Sequence, residues 1–157
     1  MGTKLDSPGV KIPPPLFYVI TFLFSILLQK LFSINHFIFQ SLPFEIAAVI
    51  LILISLTFII PALQQFIKTK NTVITVKPAN SLQVSGVYSI SRNPMYLGLL
   101  LLYAGLVFLA GNWWTIIFMP VLIIAVTSLI ILPEERYLQR EFGDTYSLYK
   151  GKVRRWL

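Results

Sequence analysis

The stretch Gly86-Val-Tyr-Ser-Ile-Ser-Arg-Asn-Pro-Met-Tyr-Leu-Gly98 stands where a polar segment becomes a long apolar run. Its Arg92 is the last charged residue before Glu134, at the start of the C-terminal segment. A charged side chain at such a boundary can stay at the headgroup level while the following helix enters lipid. Pro94 suits the first turn of a helix and keeps Asn93 out of the α region. The stretch therefore predicts a non-helical turn at the mouth of a membrane helix.

The composition places the whole chain in the membrane class. Of its 157 residues, 56% are hydrophobic and only 12% are charged, which is too apolar for a soluble domain and too short for two domains. We therefore predict an all-α integral membrane bundle that forms a single domain over residues 1–157. The chain has no cysteine and one histidine, His36, so we expect neither a disulfide nor a thiol nucleophile nor a metal site.

Four apolar runs are candidate membrane spans, at residues 16–31, 45–67, 95–111 and 113–132. A Gly-Asn pair separates the last two runs, which predicts a tight hairpin. Gly98 and Gly105 form a small-residue stripe that favours close packing against a neighbouring helix.

The polar parts of the chain are predicted to lie together on one side. Residues 1–15 read as a proline-rich lead-in, residues 68–93 as a structured loop, and residues 133–157 as a tail that begins with a helix of about ten residues ending at Gly143. These parts hold nearly all the lysines and arginines, so the positive-inside rule predicts that both termini and the loop are cytoplasmic. The net charge of +7 flanks the spans, which favours anionic lipid headgroups over nucleic acid as the partner.

The predicted hairpin brings the start of the third span and the end of the fourth to the same depth. Arg92 and Tyr96 are then expected near Glu134 and Glu135, although about forty residues separate them in sequence. Each residue alone also has a structural interpretation, as a headgroup anchor or as a favourable charge at a helix N-terminus. Further polar residues expected on this face are Tyr88, Asn93, Tyr146, Tyr149, Arg154 and Arg155.

The combination of these motifs is more specific than its parts. It reads Gly86-x-Tyr88, then Ser91-Arg-Asn-Pro-Met-Tyr-Leu-Gly98, then a helical hairpin, then Glu134-Glu135-x-x-Leu138-x-x-x-Phe142-Gly143-x-x-Tyr146-x-x-Tyr149 and a basic end. This pattern resembles the isoprenylcysteine carboxyl methyltransferase family, and the related phospholipid N-methyltransferases share much of it. The resemblance covers residues 68–157 and the membrane layout before them.

The resemblance implies methyl transfer from S-adenosylmethionine to an amphiphilic acceptor at the cytoplasmic face. It implies Arg92 and Glu135 as catalytic residues and Arg154 as a substrate-binding residue. The cofactor-binding residues that it implies are Tyr88, Arg92, Asn93, Tyr96, Glu134 and Glu135. No Gly-x-Gly-x-x-Gly motif is present, so any cofactor pocket must be assembled from the loop, the tail and the helix ends.

Two departures from the family pattern bear on these roles. Asn93 stands where the familiar form has histidine, and asparagine can still donate and accept hydrogen bonds. The usual proline-containing ending is replaced by Val153-Arg-Arg-Trp-Leu157, so a role for the tail arginines carries over less directly.

Several alternatives stay open at the level of sequence. A carboxylate acceptor needs no base, whereas an ammonium acceptor must first lose a proton, and the polar face lacks histidine. This favours carboxyl methylation, with phospholipid amine methylation as the second reading. A reductase of unsaturated lipids that uses NADPH and a non-catalytic membrane protein are readings of other classes. The small-residue stripe is also compatible with a homodimer.

Overall fold

The computed structural model describes residues 13–35, 37–68 and 81–157, and every regular element in these ranges is a helix. The five α-helices are α1 (Pro14–Leu31), α2 (Leu42–Lys68), α3 (Pro94–Ala110), α4 (Trp113–Val126) and α5 (Leu132–Lys152). Short 3-10 helices at Phe37–Gln40 and Gly86–Ser89 precede α2 and α3, and a π-helical turn at Thr127–Ile131 joins α4 to α5. The predicted all-α class is confirmed.

The helices are those of a membrane protein. Among the described residues, α1, α2 and the continuous helical stretch from Trp113 to Lys152 are long and apolar enough to cross a bilayer. The apolar α3 is shorter, with 17 residues. Large apolar side chains cover the outside of α1 and α2, where lipid rather than water is the favourable surrounding. The chain is therefore an integral membrane protein.

Close packing between α2 and α3 uses the predicted glycine stripe. A Cβ atom on Gly98 would lie 3.1 Å from the Ser55 carbonyl oxygen and 2.6 Å from a side-chain carbon of Ile59. At Gly105 the same atom would lie 3.1 Å from the Ala48 carbonyl oxygen. The two glycines therefore let the backbones of α2 and α3 approach directly, as small residues do between membrane helices.

The predicted turn between α3 and α4 is present, but these two helices are not each other's main packing partners. Gly111 ends α3 in the left-handed conformation (φ 59°), and the side chain of Asn112 accepts a hydrogen bond from the backbone N–H of Trp114 to cap α4. Within the bundle, α3 packs chiefly on α2 and α4 chiefly on α1.

A buried polar contact holds α1 against α4 near this turn. The hydroxyl groups of Ser25 and Thr115 lie 2.7 Å apart, and both side chains are fully buried. At the same end of the bundle, the indole N–H groups of Trp113 and Trp114 donate to the carbonyl oxygens of Asn35 and Phe32 at 2.9 Å. The connection after α1 is thereby fixed to the start of α4.

Two helix ends differ from the sequence-based expectation. The first helix begins at Pro14, inside the predicted lead-in, because a proline in the first turn has no N–H to leave unpaired. Gly143 breaks α5 as predicted (φ 49°), but a second helical part follows it up to Lys152. Tyr146 and Tyr149 bury their side chains from this second part, so tertiary packing supports a segment that local sequence signals did not.

Some sequence interpretations lie outside the described residues. These are the lead-in over residues 1–12, His36, and the part of the 68–93 loop at residues 69–80, which includes the weakly strand-like stretch at 72–76.

The α2–α3 contact predicts a stability effect. Gly98→Ala should destabilise the protein by about 1–3 kcal/mol, because the added methyl group meets backbone that cannot move without separating the helices. Thermal unfolding in detergent, followed by circular dichroism, measures the change. Gly151→Ala is the matched control, since no atom of the described residues lies within 4 Å of its added Cβ atom. Equal melting temperatures for the two variants would contradict the close approach of α2 and α3.

Candidate functional site

The turn that precedes α3 is held by hydrogen bonds from the end of the chain. The hydroxyl group of Tyr149 donates to the carbonyl oxygen of Tyr88 at 2.6 Å. The Oγ of Ser91 accepts from the backbone N–H of Asn93 at 3.1 Å and donates to the carbonyl oxygen of Arg155 at 3.2 Å. The predicted non-helical turn at Arg92 and Asn93 is therefore present and is fixed from two sides.

The residues after α5, 153–157, cross this turn, and we call them the strap. The backbone N–H of Arg92 donates to the carbonyl oxygen of Arg154 at 3.0 Å. The side-chain amide of Asn93 donates to the carbonyl oxygen of Arg155, also at 3.0 Å. The familiar family form has histidine at this position. The side chain of Asn93 still makes a polar contact there, as expected from the hydrogen-bonding capacity of asparagine.

At the centre of the site, the carboxylate of Glu135 lies between two arginines. Its Oε1 is 3.2 Å from a terminal nitrogen of Arg92 and accepts from the Nε of Arg155 at 3.0 Å, while its Oε2 accepts from Arg155 at 2.8 Å. The side chains of Glu135 and Arg92 are only 9% and 8% exposed, whereas that of Arg155 is 34% exposed. The hydrogen bonds that Arg155 donates to Glu135 raise the pKa of the Arg155 guanidinium. Glu135 is therefore a fixed charge that orients both guanidinium groups.

One donor of Arg92 has no partner in the part of the chain that the structure describes. Its terminal nitrogens contact Glu135 and, at 3.4 Å, the hydroxyl oxygen of Tyr146, but its Nε is buried and has no acceptor among the described residues. A buried cationic donor without an acceptor is costly, and such a group favours binding of an anionic oxygen. Arg92 is thus oriented by Glu135 while one of its donors remains free for a ligand.

The neighbouring carboxylate, Glu134, has a different environment. It accepts a hydrogen bond from the hydroxyl group of Tyr96 at 2.8 Å, and no arginine or lysine in the described parts of the chain forms a salt bridge with it. Burial, opposed by the Tyr96 hydrogen bond and assisted by the charge of Glu135, raises the pKa of Glu134 to about 8. Glu134 lies beyond the apolar run that ends at Leu132 and can exchange a proton near neutral pH.

The surrounding tyrosines are neutral hydrogen-bonding and ring groups. Burial raises the pKa of the Tyr88, Tyr146 and Tyr149 hydroxyl groups above the ordinary value. The Tyr88 ring also packs edge-on against Phe66 of α2, with ring centroids 6.1 Å apart. These residues therefore line the site without supplying a base.

The structure brings most of the sequence-predicted residues together. Arg92 contacts Glu135, and Tyr96 contacts Glu134, so residues from the two ends of the predicted hairpin do meet. Arg154 contributes its backbone carbonyl group to the strap, while its side chain is exposed.

Some residues contact the predicted set but were not assigned roles from the sequence, among them Ser91, Tyr146, Tyr149 and Arg155. The order of two adjacent arginines gives no signal of which side chain faces inward. The directions of the Arg154 and Arg155 side chains depend on the path of the strap, which only the tertiary structure reveals.

Beside Glu135 lies an open cleft of about 390 Å³, which we call the basic cleft. Its lining residues are Leu132, Glu135, Arg136, Gln139, Arg140, Lys150 and Arg155. No group of three or more metal-ligating side chains occurs in the described ranges. The site offers charged and hydrogen-bonding side chains.

Comparison with known proteins places this arrangement in a family context. The family model described as "Phospholipid methyltransferase" matches residues 44–145, which include Arg92, Glu134 and Glu135. No solved structure matches the chain.

Two curated relatives match parts of the chain. An "Uncharacterized protein" of Haemophilus influenzae is 41% identical over 63 residues, which are 40% of this chain and the full length of that relative. The "Protein-S-isoprenylcysteine O-methyltransferase" of Schizosaccharomyces pombe is 33% identical over 72 residues, which are 46% of this chain and 30% of that relative.

The two-arginine contact predicts that Glu135→Gln destabilises the protein. Loss of the negative charge leaves the buried Arg92 guanidinium uncompensated, at a cost of about 3 kcal/mol. Thermal unfolding in detergent measures the change. Glu141→Gln is the control, because Glu141 is exposed on the same helix. A Glu135→Gln protein as stable as the control would contradict the central role of this carboxylate.

The raised pKa of Glu134 predicts a specific pH dependence of stability. Between the ordinary value of 4.5 and about 8, the folded protein keeps a proton on Glu134 that the unfolded chain releases. Raising the pH through this window therefore favours unfolding. Melting temperatures across the window should fall more steeply for the wild-type protein and Glu141→Gln than for Glu134→Gln. Identical slopes for all three proteins would show that Glu134 has an ordinary pKa.

Proposed function

We propose, because this chain belongs to the phospholipid methyltransferase family, that it transfers a methyl group from S-adenosylmethionine to an amphiphilic acceptor. The membership confirms the family resemblance of its motifs, and the chain is a membrane methyltransferase. The observation that carries the donor assignment is the pair of adjacent but differently held carboxylates beside Arg92.

The residues present fit the charged groups of this cofactor. The free Nε of Arg92 is a buried donor suited to a carboxylate oxygen, and Glu134 is a carboxylate without a cationic partner in the described structure, suited to an ammonium or a ribose hydroxyl. The rings of Tyr88 and Tyr96 are suited to an adenine or a sulfonium cation. Asn93 holds the turn that carries Arg92, and Glu135 fixes the guanidinium. Glu135 therefore acts in this proposal as a positioning residue.

When bound, S-adenosylmethionine would supply a methyl group attached to a sulfonium sulfur. The sulfur part of the cofactor is then the leaving group, as a neutral thioether. The chain's main contribution is then to align the donor and the acceptor, which alone can supply several kcal/mol of barrier reduction. The rigid Arg92–Glu135–Arg155 cluster and the strap hold the ligand groups in one geometry. Placement of the cluster just beyond an apolar run gives an amphiphile access from the lipid side.

A carboxylate is the acceptor that we propose first. It needs no base, and the exposed guanidinium of Arg154, which has no salt-bridge partner among the described residues, is suited to hold it. The partial similarity to a protein-S-isoprenylcysteine O-methyltransferase supports this class.

A phospholipid amine is the second candidate, and one observation favours it. Glu134, whose pKa burial raises to about 8, is better matched than an ordinary carboxylate to accept a proton from an ammonium group. Methylation assays at saturating S-adenosylmethionine, with an amine and a carboxylate amphiphile and with wild-type and Glu134→Gln protein, separate the two. Loss of amine methylation alone in the variant would assign Glu134 as a base.

The cofactor proposal predicts saturable binding of S-adenosylhomocysteine to the detergent-purified protein. Glu134→Gln should weaken this binding about tenfold or more, because the variant lacks the charge that pairs with the ligand ammonium. Calorimetry in two buffers of different ionisation enthalpy should also show proton release on binding to the wild-type protein, as the ligand draws Glu134 into its ionised form.

Controls distinguish this proposal from the other readings. Glu141→Gln should bind S-adenosylhomocysteine like the wild-type protein, since the Glu141 side chain is exposed. Binding of NADPH alone would instead support a reductase, and binding of neither nucleotide would support a non-catalytic protein.

We also propose that the site and both termini face the cytoplasm, on the basis of the charge distribution.

A further inference from the structure

The basic cleft carries an excess of positive charge that the fold itself does not balance. Its lining includes four cationic side chains, those of Arg136, Arg140, Lys150 and Arg155, and one carboxylate, that of Glu135. Both oxygens of Glu135 already accept hydrogen bonds from Arg155. Glu135 therefore pairs with Arg155, and the other three cations of the cleft, Arg136, Arg140 and Lys150, have no carboxylate in the cleft to pair with.

These three cations are free to bind a ligand. Within residues 13–35, 37–68 and 81–157, no carboxylate forms a salt bridge with Arg136, Arg140 or Lys150. All three residues are exposed. Arg136 and Arg140 lie one turn apart on α5, where like charges repel. The break at Gly143 lets the second part of α5 bring Lys150 to the same cleft. An anion would remove this repulsion.

The position of the cleft indicates which anion would occupy it. Leu132, the last residue of the apolar run, forms part of its wall, so the cleft begins where the hydrocarbon-facing surface ends. Leu129 and Ile124 on the preceding turns are exposed apolar side chains suited to acyl chains. Phospholipid phosphates lie at this level of a bilayer, and arginine pairs bind phosphate oxygens well. A cleft of about 390 Å³ is large enough for a headgroup.

We propose that the basic cleft binds the phosphate group of an anionic membrane phospholipid, whose acyl chains lie along the outer surface of α4. Arg136 and Arg140 form the main contacts, with Lys150 at the opposite wall. This inference does not depend on methyl transfer, because neither arginine belongs to the cofactor-binding residues proposed above. A lipid bound there would hold α5, and with it Glu134 and Glu135, at a fixed depth in the membrane.

The test uses the full-length protein in an uncharged detergent, without cofactor, and phosphatidylglycerol as the probe. Native mass spectrometry counts bound lipid as its concentration is raised. The double variant Arg136→Gln/Arg140→Gln should weaken binding about tenfold or more, since each surface cation contributes to holding an anionic lipid. Lys152→Gln is the matched control, because Lys152 is an exposed cation of the same helix that does not line the cleft. It should bind lipid like the wild-type protein.

Further variants and a soluble competitor distinguish a specific lipid site from the alternatives. Arg136→Lys/Arg140→Lys keeps the charge and should retain most of the binding, and its melting temperature checks that substitution of these exposed residues leaves the fold intact. Equal weakening by Lys152→Gln and by the double glutamine variant would overturn the proposal in favour of diffuse attraction. Equal competition by soluble glycerol 3-phosphate would overturn it in favour of a soluble phosphate ligand. Unchanged lipid binding in the double glutamine variant would also overturn it.

Discussion

The buried carboxylate of Glu135 holds the functional end of this protein together. It joins Arg92, from the turn before α3, to Arg155, from the last residues of the chain. A buried ion pair of this kind contributes little net stability, but loss of one partner is costly because it leaves a charge in a poorly solvated place. The three residues therefore act as a unit, and the strap and the turn are held to the start of α5 through one side chain.

Glu134 and Glu135 show how adjacent residues of the same type acquire different chemistry. Adjacent positions on a helix point about 100° apart. Glu135 therefore contacts two arginines, whereas Glu134 accepts a hydrogen bond from Tyr96 and has no salt bridge among the described residues, and burial raises the pKa of Glu134 to about 8. Pairs of titratable groups whose environments separate their pKa values are a common basis for divided roles in a site. Here the division is between a carboxylate that positions an arginine and one that is available to a ligand.

The membrane part of the bundle determines where these groups lie. Gly98 and Gly105 let α3 pack directly on the backbone of α2, which fixes the depth of Tyr96 at the start of α3. The polar contact between Ser25 and Thr115 fixes α4 on α1 at the opposite end. Because α4 continues through a π-helical turn into α5, the same packing sets the position of both glutamates. Apolar packing thus supports a charged site at the end of the bundle.

The sequence by itself determined the membrane class, the helical fold, the turn at Arg92 and Asn93, and the approach of that turn to the glutamates. These features follow from apolar run lengths, a proline, and a two-residue connection, all of which act locally. Only the tertiary structure decided that α3 packs on α2 rather than on α4, that α5 resumes after Gly143, and that Arg155 rather than Arg154 faces inward. Each of these depends on contacts between distant segments, where buried area and charge pairing outweigh local preference.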